Sequence, residues 1–114
     1  MNNASVLIVD DRPENLIALE ATLENLDCDI VQADSGEAAL ELSLARDFAI
    51  ILLDVQMPGM NGYETAEMFR SLKRTRHIPI IFVTAICKDQ QHMFKGYDAG
   101  GVDFLFKPIE EEVL

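Results

Sequence analysis

IILLD, residues 50–54, is a run of four large aliphatic side chains that stops on a carboxylate. Nothing in it alternates between apolar and polar, so a strand here must be covered on both faces, as in the interior of a parallel sheet. Four more short apolar runs, most of them equally continuous, lie at Val6 to Val9, Ile30 to Ala33, Ile80 to Val83 and Val102 to Phe106. Five strands are expected.

Between the runs the period becomes helical. Leu16, Leu19, Leu23 and Leu26 recur at three and four, which predicts an amphipathic helix from Pro13 to Leu26 with proline in its first turn. A second helix should follow the cap Ser35 and run to about Arg46 with Ala38, Ala39 and Leu42 inward, although Gly36 blurs its start. The third, Gly62 to about Lys73, carries Ala66, Phe69 and Leu72 and ends in basic residues that suit a helix C-terminus. A fourth is expected from about Asp89 to Ala99, closed by Gly100. This βαβαβαβαβ order predicts one α/β domain over residues 1–114: a doubly wound parallel sheet with right-handed crossovers and helices on both faces. Ligands of such sheets bind at the carboxyl ends of the strands.

With 114 residues, 49% of them hydrophobic, the chain can bury the core of one ordinary domain. No apolar run reaches the roughly 18 residues of a membrane span, and the start lacks a signal peptide's order of basic, apolar and small residues. A soluble, cytoplasmic protein without membrane contact is expected. Cys28 and Cys87 lie far apart with no CxxC spacing, which suggests reduced packing residues rather than a zinc site or a disulfide. A net charge of -11 excludes direct nucleic-acid binding through a basic surface.

The unusual residues collect at strand ends. Strand one ends in Asp10 and Asp11, strand three in Asp54, strand four in Thr84, and strand five in Lys107 followed by Pro108. Taken singly each is commonplace: an aspartate in a loop or cap, a structural threonine, a surface lysine. Together they stand on one rim of the sheet. If strands one, three, four and five are neighbours, three carboxylates, a hydroxyl and an ammonium converge. Carboxylates about 4 Å apart repel by about 4 kcal/mol at an effective dielectric of 20, which a divalent cation would relieve. Hard oxygen donors without histidine or thiolate point to magnesium, whose remaining positions can take phosphate oxygens. Lys107 and Thr84 then offer a charge and a hydrogen-bond donor to a phosphoryl group.

VLIVDD at 6–11, LLDVQMPGMNGYE at 52–64, IIFVTA at 80–85 and DFLFKP at 103–108 give the chain its family likeness. It resembles, over nearly its whole length, the receiver domains of bacterial two-component response regulators. The resemblance implies the flavodoxin-like strand order 2-1-3-4-5. It implies that Asp54 is the phosphoacceptor, forming an aspartyl phosphate, and that Mg2+, or Mn2+ in its place, is held by Asp11 directly, Asp10 mainly through water, Asp54, and the backbone carbonyl of Gln56. Thr84 and Lys107 would bind the phosphoryl oxygens beside the small Ala85, and the Lys107-Pro108 bond is usually cis in this family. Thr84 and Phe104 match the family's switch pair, and Gln56 and Ile86 occupy the positions that tune dephosphorylation.

The implied partners are a sensor histidine kinase or histidine phosphotransfer protein and an output domain, fused C-terminally or separate; a homodimer stays open. The implied role is a signalling domain that catalyses only its own phosphorylation and dephosphorylation. DDRPENL at 10–16 and GYDAG at 96–100 resemble receivers fused to hybrid kinases or cyclic-nucleotide enzymes. After Pro108, Ile109 to Leu114 make less than two turns where the family has a full fifth helix, so the chain reads as a fragment or trimmed N-terminal domain of a longer protein with one flank of its sheet partly bare. Gly101 stands where alanine is commoner.

Two other functions fit parts of the pattern. A haloacid-dehalogenase-type phosphohydrolase also forms an aspartyl phosphate, but from a D-x-D motif after strand one, and the residue two beyond Asp10 is Arg12. A pseudo-receiver signals by contacts alone and usually lacks an acidic residue, the phosphoacceptor or the lysine, all of which are present here.

Overall fold

The computed structural model describes residues 4–24, 26–84 and 103–106, with Thr84 and the last group described by backbone only. Within them the chain forms β1 (Ala4–Val9), α1 (Pro13–Leu23), β2 (Cys28–Ala33), α2 (Gly36–Ala45), β3 (Ile50–Asp54), α3 (Gly62–Ser71), β4 (Ile80–Thr84) and β5 (Asp103–Phe106). All pairings are parallel and the order is β2-β1-β3-β4-β5. The doubly wound architecture and the strand order are therefore as expected.

The unbroken apolar runs follow from the period of two along a strand. Leu7 and Val9, Ile51 and Leu53, Ile80 and Phe82 face one side, where Ala39 of α2 and Tyr63, Ala66 and Phe69 of α3 close over them. Val6, Ile8, Leu52 and Val83 face the other, against Leu16, Leu19 and Leu23 of α1. Each central strand must therefore be apolar at every position. Phe69 and Phe82 are wholly buried, and the Tyr63 and Phe82 rings meet at 5.2 Å between centroids.

The helix starts agree with the sequence and some ends do not. Pro13 opens α1, and Ser35 caps α2 by accepting from the Ala38 N–H at 3.0 Å. The predicted extension of α1 to Leu26 is wrong. The Leu26 N–H bonds back to Leu23 in a tight turn, because the chain must reverse to lay Cys28 beside Ala4 in β2. Leu26, expected inward, is 49% exposed. Ala38 and Leu42 are half-buried, with Ala39 the closed contact of α2. The third helix ends at Ser71 rather than near Lys73, since Leu72 turns extended.

The expected fourth helix, the shortened fifth helix, Gly100, Gly101 and Cys87 lie outside the described residues. Cys28 is a free, half-buried thiol, held above the ordinary thiol range by burial and then by Asp27 and Asp29, which keeps it protonated and poorly nucleophilic. Among the described residues no helix is long and apolar enough to cross a membrane.

Candidate functional site

The strand order places the chemistry. β1 and β3 are neighbours with Val9 opposite Leu53, so the residues that follow, Asp10 and Asp54, stand side by side at the carboxyl end of the sheet. The chain runs outward from β1 to β2 on one side and returns to β3 on the other, which makes this edge the topological switch point where open α/β sheets hold ligands. Carboxylate oxygens of Asp10, Asp11 and Asp54 all lie within 4.8 Å of one another. Asp10 and Asp54 are buried, at 3% and 6% exposure, and Asp11 is half-buried at the mouth.

Asp10 is held at both ends. Its backbone N–H donates to the Ala33 carbonyl at the end of β2, at 3.1 Å. Its Oδ1 accepts from the backbone N–H of Arg12 at 3.0 Å and from Asn15 Nδ2 at 3.4 Å. The first of these closes a turn of the kind aspartate makes two residues ahead of itself. Such donors stabilise a buried carboxylate that would otherwise lose its hydration.

Asp54 is positioned through its backbone. As the last residue of β3 it pairs with Val83 of β4. Val55 and Met57 are then buried while Gln56 between them is exposed, so the segment after Asp54 is pinned to the core on alternate residues. The start of α3 presses against it: the Gly62 N–H donates to the Val55 carbonyl at 2.9 Å, and a Cβ on Gly62 would sit 2.1 Å from the Asp54 carbonyl oxygen. Gly59, at φ 74°, supplies the left-handed turn that brings the chain round. Asn61 and Glu64 lock the helix start reciprocally, each side chain accepting from the other's backbone N–H at 2.9 Å.

Thr84 ends β4 one residue beyond the partner of Asp54 and pairs with Phe106, while Phe104 pairs with Phe82. The backbone thus brings Thr84 to the same rim as Asp54, with Phe106 beside it, and sets Phe104 two residues back along β5. Ala85, Ile86, Lys107 and Pro108 lie outside the described residues. Sequence reasoning passed over Asn15, Asn61 and Glu64, and noted Gly62 only as a helix start. The Asn61-x-x-Glu64 spacing is a legible capping signal. Asn15 carried no such signal, since its contact depends on where the first turn of α1 lands.

A family model for the response regulator receiver domain matches residues 6–114. A probable cyclic di-GMP phosphodiesterase of Vibrio cholerae is 34% identical over 114 residues, which are 100% of this chain and 25% of that protein. The signal transduction histidine-protein kinase BarA of Shigella flexneri is 41% identical over 110 residues, 96% of this chain and 12% of the kinase. The chain therefore spans a quarter or less of the length of these relatives. Among solved structures, the receiver domain of a sensor histidine kinase from Pseudomonas aeruginosa superposes with a TM-score of 0.88 at 27% identity, covering 99% of this chain and 91% of that one; it holds a magnesium ion coordinated in its active-site cleft.

Proposed function

Because the chain belongs to the response regulator receiver-domain family, we propose that it is a phosphorylation-dependent signalling switch whose phosphoacceptor is Asp54. The observation that carries this reading is the convergence of Asp10, Asp11 and Asp54, with oxygens within 4.8 Å, at the carboxyl ends of β1 and β3. The group offers carboxylate oxygens and neither histidine nor thiolate, a donor set that fits magnesium, or manganese in its place. Asp10, Asp11 and Asp54, with the Gln56 carbonyl, would hold the ion, which when bound supplies positive charge against the carboxylates and the phosphoryl oxygens.

The rest falls to the chain itself. An Asp54 oxygen attacks the phosphorus of a phosphohistidine on a kinase or phosphotransfer partner. A P–O bond forms, the P–N bond breaks, and the imidazole nitrogen leaves with the electron pair and takes a proton. Lys107 and Thr84 bind the phosphoryl oxygens by charge and hydrogen bond, and Ala85 leaves room for them. Thr84, drawn toward the new group, vacates space into which Phe104 on the adjacent strand turns, shifting the population of two conformations toward the one an output partner reads. Gln56 can hold a water in line with the aspartyl phosphate, whereas Ile86 cannot, so the switch decays slowly. The domain accepts one phosphoryl group per cycle and does not turn over a substrate pool.

Incubation with acetyl phosphate and Mg2+ followed by intact mass tests this. A gain of about 80 Da is expected in the natural chain and none in Asp54→Asn, whose amide is not a nucleophile. A gain in the variant would move the acceptor elsewhere. Sustained hydrolysis of a phosphate ester would instead favour a phosphohydrolase, and absence of any gain a pseudo-receiver.

A further inference from the structure

Asn15 stands in the first turn of α1, half-buried, with its amide Nδ2 on Asp10 Oδ1 at 3.4 Å. The Arg12 N–H reaches the same oxygen at 3.0 Å. Two donors, one from the backbone and one from a side chain, meet on one oxygen and restrict rotation of the carboxylate about its Cβ–Cγ bond. The two bonds favour one orientation of the carboxylate toward Asp11 and Asp54. The donor is also suited to the place. A lysine there would compete with a cation, whereas a neutral amide orients the carboxylate and leaves its charge intact.

A purely helical role for Asn15 explains less. Arg12, the N-cap of α1, makes no side-chain capping bond, and the Asn15 amide bonds to Asp10 rather than to the helix. Pro13 at the first helical position fixes the entry of α1 and hence where Asn15, two residues on, delivers its amide.

We infer that Asn15 is a positioning residue for the cation site, setting Mg2+ affinity through the orientation of Asp10; this rests on the reading of Asp10, Asp11 and Asp54 as metal ligands. Partners of this kind typically set affinity by about 10–100-fold. A single long bond shared with a backbone donor belongs below that range, at about fivefold.

The test is a Mg2+ titration of the full chain, without phosphodonor, followed by backbone amide NMR shifts, which read weak affinities. Asn15→Leu, close in size but without the amide, should raise the Kd for Mg2+ about fivefold relative to the natural chain. In an Asp10→Asn background the same change should leave the Kd within about twofold, because the effect passes through the Asp10 carboxylate. An unchanged Kd in the single variant, or an equal rise in both backgrounds, overturns the inference while the cation site stands. If the natural chain itself shows no Mg2+-dependent shift at the ends of β1 and β3, the reading of the cluster fails first and takes this inference with it.

Discussion

Replacing Asp54 by asparagine should make the metal-free protein more stable. The change removes one of three charges whose oxygens lie within 4.8 Å of one another. At such a distance two unit charges repel by about 3.5 kcal/mol at an effective dielectric of 20 and by about 0.9 kcal/mol in bulk water. Two of the three pairwise repulsions disappear. The pair with half-buried Asp11 lies nearer the water limit, while the pair with Asp10, both members nine-tenths buried or more, lies nearer the other. The donors on Asp10 Oδ1 already offset part of its charge. A net gain of about 1–3 kcal/mol follows, or about 4–12 °C in Tm for a domain of this size. The assay is thermal denaturation in chelator and again in excess Mg2+. At ten times its Kd the ion stabilises the natural chain by about 1.4 kcal/mol. The variant, short of one ligand, gains less, so the two melting curves should approach each other. A variant that melts at or below the natural chain in chelator, or a gap that Mg2+ leaves unchanged, would refute the reasoning.

Two further outcomes are expected. Gly62→Ala places a Cβ 2.1 Å from the Asp54 carbonyl oxygen and 2.8 Å from Val55 Cα, both backbone atoms, so α3 or the segment after β3 must shift. The urea midpoint should fall by the equivalent of about 1–3 kcal/mol, and an unmoved midpoint would show that the contact is slack. Ile86→Glu should hasten loss of the phosphoryl group in excess Mg2+ by supplying a carboxylate to orient water, since orientation is worth several kcal/mol in a displacement. Decay no faster than in the natural chain would remove Ile86 from the control of lifetime.

The fold was legible because its determinants are local and repeated. Ile50 to Leu53 has no polar position, and only a strand sandwiched between helix layers needs that, as the Leu7, Ile51, Ile80 and Val6, Leu52, Val83 faces bear out. Pro13 and Ser35 marked helix starts because they act on their own backbone. The end of α1 was not legible. Leu26 continues the apolar period of Leu16, Leu19 and Leu23, and what stops the helix is the demand of β2 for pairing with β1, a constraint from residues more than twenty positions away.

The candidate site divides in the same way. Asp10, Asp11 and Asp54 could be named from the sequence because acidic residues at the ends of apolar runs are a chemical anomaly, and the family motifs around them are continuous in the chain. The sequence alone marked the chemically unusual residues and set them at the ends of apolar runs, and the structure brings Asp10, Asp11 and Asp54 among them together. The tertiary structure decided which carboxylates are buried, that Asn15 reaches Asp10, and that Gly62 is a point of backbone contact with Asp54 rather than a helix start alone. These depend on register between β1 and β3 and on the angle at which α1 and α3 leave the sheet. Such quantities are set by the packing of the whole core, and no single residue type encodes them.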